Sequence, residues 1–189
     1  MYHYTVIAQN GASNLKTMVI VNTLSKKLKK THVLHTIGSS ELECSALFGL
    51  TNKNFVITAP WENFNGHSNI ILLEEKHTKE LEKTYDSMYN GLSNSDKRIL
   101  SAMILNIFGD DWKSSFVIVE NKNNEVIKKA VEIAVQEGVE IFDLSNKEHF
   151  ERIQSKIIKT EKQYEKEKTT FLTSIGQKPY KNVVCKLIK

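Results

Sequence analysis

Gly38-Ser39-Ser40, followed at once by Glu41 and Glu43, is the stretch of this chain best suited to chemistry. A glycine and two hydroxyls at the head of a helix aim unpaired backbone N–H groups and the positive end of the helix dipole at one point. Small side chains let a ligand approach the backbone closely. A phosphate, a ribose or another polar group fits such a cradle. Glu41 and Glu43 stabilise the first helical turn by themselves, and they repel an anion. They suit a ribose hydroxyl, a base edge or a catalytic carboxylate better than a phosphate. The same residues also serve as an ordinary cap between a strand and a helix.

Three other loops carry side chains of the same kind. Asn10–Asn14, with Gly11 and Ser13, follows the first apolar run and has the form of a strand–Gly loop–helix entry. It matches neither GxGxxG nor the P-loop pattern, and no Gly-Lys-Ser/Thr occurs in the chain, which argues against a P-loop kinase or NTPase. Glu62–Asn69 lies past the third apolar run, where open parallel sheets bind ligands. Trp61 and Phe64 offer stacking faces there, and Asn63, Asn65 and His67 offer hydrogen bonds. Trp61 reads equally as packing over a strand end, and His67 as a solvated loop histidine. Asn121–Asn124 is a polar turn ahead of a helix and adds Asn123 and Asn124. The expected ligand-binding set is Gly11, Ser13, Gly38, Ser39, Ser40, Trp61, Phe64, Asn123 and Asn124. Asp110 and Asp111 sit side by side in a turn and read as solvated rather than metal-binding.

The elements that must position these loops follow from hydrophobic periodicity. Tyr2–Gln9, Thr31–Ile37, Asn54–Thr58, Ser115–Glu120 and Val139–Leu144 read as strands, the fourth most clearly. Ile70–Leu73 reads as a strand or as the start of a helix. Helices are expected over Leu15–Lys30, from Ser39/Ser40 onward, Glu74–Tyr89, Lys97–Phe108 and Glu125–Gln136, with Gly138 after the last. Asn146–Lys168 reads as one long charged helix with a broken stripe of Phe150, Ile153, Ile157, Ile158 and Tyr164. Val183–Leu187 reads as a late edge strand.

At 189 residues the chain is one ordinary domain with an added tail, long enough to bury a sizeable core. The 26 basic residues are interleaved with 22 acidic ones and the net charge is +4, without the concentrated basic stripe of a nucleic-acid binder. Two cysteines, with no CxxC and no Cys/His cluster, point to a reduced, metal-free, cytoplasmic protein. No cofactor is expected. No signal peptide and no membrane-length apolar run is visible. Abundant Lys and Asn with little Pro fits an AT-rich genome, such as that of a low-GC bacterium or its phage.

This order of elements implies an α/β fold of the Rossmann-like class, a three-layer sandwich with a mainly parallel sheet of about five strands and a C-terminal helical extension. Residues 1–145 are expected to form a Rossmann-like domain with a site suited to a nucleotide, and residues 146–189 to pack on it or form an oligomer contact. Four places resemble the SLOG superfamily of Rossmann-like domains, which includes DprA, LOG phosphoribohydrolases and nucleoside deoxyribosyltransferase-like proteins. They are the strand Tyr4–Gln9 with its polar loop, Thr36–Glu43, Ala59-Pro60-Trp61 with Gly66, and Asn123–Ala130 with Gly138-Val139. The chain departs from those proteins in lacking their second glycines and the Gly-Gly-x-Gly-Thr pattern.

The resemblance implies binding of a nucleotide or nucleotide-derived molecule at the strand ends, for sensing or sequestration as in a phage-type sponge. It also implies an alternative, hydrolysis or transfer at an N-glycosidic bond. That chemistry needs a carboxylate near the anomeric carbon. Glu43 and Glu125 are the candidates, with His67 as proton donor. A third reading is a protein-interaction scaffold whose charged C-terminal helix meets a partner or a second copy in a homo-oligomer.

Overall fold

The computed structural model describes residues 1–9, 11, 13–51, 53–61, 70–120 and 123–176. The chain runs β1 (Tyr2–Ala8), α1 (Leu15–Leu28), β2 (His32–Thr36), α2 (Glu41–Leu47), β3 (Phe55–Ala59) and β4 (Ile70–Leu72). It continues with α3 (Glu75–Thr84), α4 (Asp86–Tyr89), α5 (Asn94–Ile107), a small hairpin of β5 (Phe108–Gly109) and β6 (Trp112–Lys113), and β7 (Phe116–Glu120). It closes with α6 (Glu125–Gln136), β8 (Glu140–Asp143), α7 (Lys147–Ile157) and α8 (Glu161–Gly176).

Six strands form one sheet in the order β4-β3-β2-β1-β7-β8, and every pairing is parallel. The expected fold class is correct, with one strand more than anticipated. The extra strand is β4, three residues long, whose Ile57↔Ile70 to Ala59↔Leu72 pairing commits an ambiguous apolar run to the sheet. Helices cover both faces because parallel strands need crossovers and neither face can be left wet. On one face Tyr4, Val6, Leu34, Ile57 and Ile118 pack under α1 and α2. On the other, Ile7, Val117 and Val119 pack under α5 and α6. The period-two alternation along β1 and β7 divides these two sets.

The C-terminal helices share the first of these cores, since Ile153, Ile157, Ile158 and Phe171 are buried in it and Phe171 meets Phe48 edge-on. The single helix expected over Asn146–Lys168 is two helices. Ile158 is extended, and the carbonyl of Ile157 accepts from Lys27 Nζ at 2.6 Å and from Gln163 Nε2 at 3.0 Å. Thr160 then caps α8, its Oγ1 accepting from the Gln163 amide at 3.2 Å. The apolar stripe crosses this break, so periodicity alone does not reveal it. Glu74–Tyr89 divides likewise into α3 and α4 at Tyr85. Val183–Leu187 lies outside the described residues. Among the described residues no helix is long and apolar enough to cross a membrane.

Candidate functional site

β1 and β7 are neighbours, but β1 leads through α1 to β2 on one side while β7 leads through α6 to β8 on the other. Their connections depart to opposite sides, and the strand ends there form the crevice in which open α/β sheets hold ligands. A cavity of about 250 Å³ lies at that place. Its walls come from the ends of β1 (Ala8, Gln9), β2 (Ile37, Ser39) and β3 (Pro60, Trp61), from α5, and from the start of α6. Ile99, Met103, Val126 and Ile127 make it largely apolar, while Gln9, Ser39, Asp96 and Asn124 are its polar groups. Gln9 Oε1 is buried and has no hydrogen-bond partner among the described residues.

The residues under the cavity explain its shape. The β1–β2 pairing runs from Tyr2↔His32 to Thr5↔His35, whereas β1 stays paired with β7 out to Ala8↔Glu120. Side chains bridge the widening gap between β1 and β2. Thr36 Oγ1 donates to the Val6 carbonyl at 3.0 Å, and the Ala8 amide donates to Glu43 Oε1 at 3.3 Å. Glu43 Oε2 accepts from the amides of Ser39 (2.7 Å) and Ser40 (3.1 Å) and from Ser39 Oγ (3.2 Å). Ser40 Oγ accepts in turn from the Glu43 amide, which closes a capping box on α2. Gly38, at φ +73°, makes the turn that this arrangement requires.

Glu43 is 1% exposed and does not line the cavity. Burial pushes its carboxyl above the usual range, and the donors from Ser39, Ser40 and Ala8 oppose that rise. Its observed work is to hold the turn and the end of β1 together. Burial, with the charges of Glu43 and Glu41, pushes the neighbouring Cys44 thiol up to about 12.

Ser13 is held by two carboxylates. Its amide donates to Glu41 Oε2 at 2.8 Å, and its hydroxyl donates to Glu120 Oε2 at 2.7 Å. The loop leaving Gln9 is thus tied to α2 on one side and to the end of β7 on the other. Arg98 of α5 fixes the third wall by donating to the carbonyls of Pro60 (2.8 Å) and Leu73 (3.1 Å). Trp61, just beyond, is 43% exposed.

The structure therefore gathers Ser39, Trp61 and Asn124 around one cavity, with Gly38 and Ser40 directly behind it. Asn124 also caps α6, its Oδ1 accepting from the Ile127 amide at 3.0 Å. Asn123, at φ +75°, turns the chain ahead of that cap and is exposed, and Gly11 is exposed as well. Glu125 is two-thirds exposed, lies 3.5 Å from Lys128 and does not join Glu43 on one wall. Phe64 and His67 lie outside the described residues. Gln9, Asp96, Glu120 and Arg98 were not expected. A charged residue ending the apolar run SFVIVE was the one local signal for Glu120. The others depend on where α5 crosses the sheet.

Fold and cleft define an α/β protein of Rossmann-like architecture with a small, mostly apolar cavity at the reversal of strand order. Comparison with protein-family models, with curated proteins and with solved structures finds no match.

Proposed function

We propose that this protein binds a nucleotide-derived small molecule in the cavity at the C-terminal ends of β1, β2, β3 and β7. The observation that carries this reading is the composition of the cavity. An apolar floor is edged by two amide side chains, a hydroxyl and a carboxylate, those of Gln9, Asn124, Ser39 and Asp96. A flat heterocycle matches such a site, because its faces need apolar contact and its edge needs a few aimed donors and acceptors. Trp61 at the mouth supplies a stacking surface. The order of motifs that resembles SLOG domains supports the same reading. Binding is favoured over N-glycosidic chemistry because the Glu43 carboxylate is already engaged by four donors below the cavity.

Native mass spectrometry of the protein as purified from cells, followed by denaturation, tests this. Release of a nucleobase-containing molecule supports it. A clean apo mass, together with no thermal shift from a panel of nucleobases, nucleosides and nucleotides, overturns it.

A further inference from the structure

Resting on that reading, we infer that the ligand is a nucleoside or free base, and that the site discriminates against its phosphorylated forms. In dinucleotide-binding sheets the phosphates lie on the loop after the first strand and on the helix N-terminus that follows. Here that loop is flanked by negative charge. The carboxylates of Glu41 and Glu120 both grip Ser13, from opposite sides, at 2.8 and 2.7 Å. A phosphate placed on Ser13 would lie against two carboxylates and would compete for the donors they already use.

The helix N-termini at this end of the sheet are also occupied. Asn14 Oδ1 accepts from the Lys16 amide at 2.8 Å, and Asn124 Oδ1 from the Ile127 amide at 3.0 Å. The Ser40–Glu43 box closes α2. Each cap takes one of the free amides that make a helix start into a phosphate site, and the side chain that takes it stands where a phosphate oxygen would lie.

The cavity agrees with this. Among the described residues that line it none is Lys or Arg, and its one charged group is Asp96. A volume of about 250 Å³ lies just below the roughly 300–1,000 Å³ usual for ligand pockets, which suits one base with its sugar rather than a dinucleotide. The Asp96 carboxylate presents an acceptor, so the complementary edge carries N–H or O–H donors: an amino-bearing base or a ribose diol.

Calorimetric titration of the full chain with adenosine, guanosine, cytidine and uridine, each beside its free base and its 5′-monophosphate, tests the inference. At least one nucleoside should bind, with its monophosphate weaker by roughly ten-fold or more at low salt. Glu120→Gln keeps an acceptor for Ser13 Oγ and removes one charge, so it should narrow that ratio several-fold. Added NaCl should narrow it in the unmodified protein, which keeps the test independent of how the variant folds. A monophosphate that binds as tightly as its nucleoside overturns the inference and leaves the broader proposal standing. A ratio insensitive to both the variant and salt overturns its electrostatic basis. Binding by neither member of any pair, and by no free base, overturns the broader proposal itself.

Discussion

From the start of β1 to the middle of the sheet, His3 Nδ1 and His35 Nε2 lie 2.9 Å apart, and the His35 ring stacks on Trp112 at 4.8 Å. At the C-terminal ends, Glu41, Glu43 and Glu120 tie three loops together around the cavity. Both clusters bury polar atoms in a largely apolar sheet. At the histidine end ring lies on ring, and a Cβ added to Gly109 would sit 2.5 Å from the Trp112 indole, so the space is filled. At the carboxylate end the polar atoms brace the rim of an open volume. Burying polar groups is costly in either place. Filled, it seals the sheet; braced around a void, it keeps a site in shape.

Removing the brace should be the larger perturbation. Glu43→Ala leaves the amides of Ala8, Ser39 and Ser40 without their acceptor, and Ala8 and Ser40 are buried. At ~1–3 kcal/mol for each buried unpaired group, the loss should reach at least about 2 kcal/mol. Urea unfolding measures this. A loss under about 1 kcal/mol would show that water satisfies these amides and that Glu43 is not the brace.

The two ends should also respond to pH with opposite sign. Burial, then the charge of His3, pushes His35 down to about 3, and burial lowers His3 as well. Each binds its proton more weakly folded than unfolded, His35 the more so, and takes up protons on unfolding. Their stability is therefore present in full above about 6.5 and is lost as pH falls from there, by at most ~1.4 kcal/mol per pH unit for each group. Glu43 is raised instead, so the folded state holds its proton more tightly than the unfolded chain does. Its contribution is fully present below the ordinary glutamate range and is lost as pH rises through the raised value. Thermal melts across this range should show His35→Gln flattening the slope below 6.5, while Glu43→Ala, which removes the opposing contribution, keeps that slope or steepens it. Loss of the slope in Glu43→Ala would show that the two ends are coupled.

A smaller effect separates the site from its scaffold. Trp61 is exposed at the mouth and lies outside both cores. Trp61→Ala should change stability by less than about 1 kcal/mol, yet weaken nucleoside binding about ten-fold, the value of base stacking on an aromatic ring. Calorimetry beside a melt reads both quantities. The reverse result would make Trp61 a plug over the end of β3.

Much of this was legible in the sequence. Gly38 in the left-handed region, Ser40 as the cap and Glu41 as the first helical residue are where the motif puts them. Local patterns of this kind are decided within a few residues. The direction of a side chain is not: Glu43 reads as a free first-turn acid until β1 is known to pass beneath it. The break after Ile157 depends on Lys27, 130 residues away in sequence. Gln9, Asp96 and Arg98 acquire their roles only when α5 lies across β1–β3, a placement that no local pattern encodes.

The finest test of the comparison uses Cys44, which sits inside the brace with its Sγ donating to the Gly38 carbonyl at 3.4 Å. Its thiol is buried and pushed up to about 12, so the native protein holds almost no reactive thiolate at pH 8. In a Cys185→Ser background, alkylation of Cys44 should run roughly a thousand-fold slower than in urea. Reaction must then wait for the Gly38–Glu43 turn to open, and its rate reports the local stability of that end alone. Glu43→Ala should accelerate it far more than His35→Gln does at neutral pH, because opening one end need not unfold the other. Equal acceleration by variants of equal stability would show that the sheet opens as a whole, leaving the brace without a local free energy of its own.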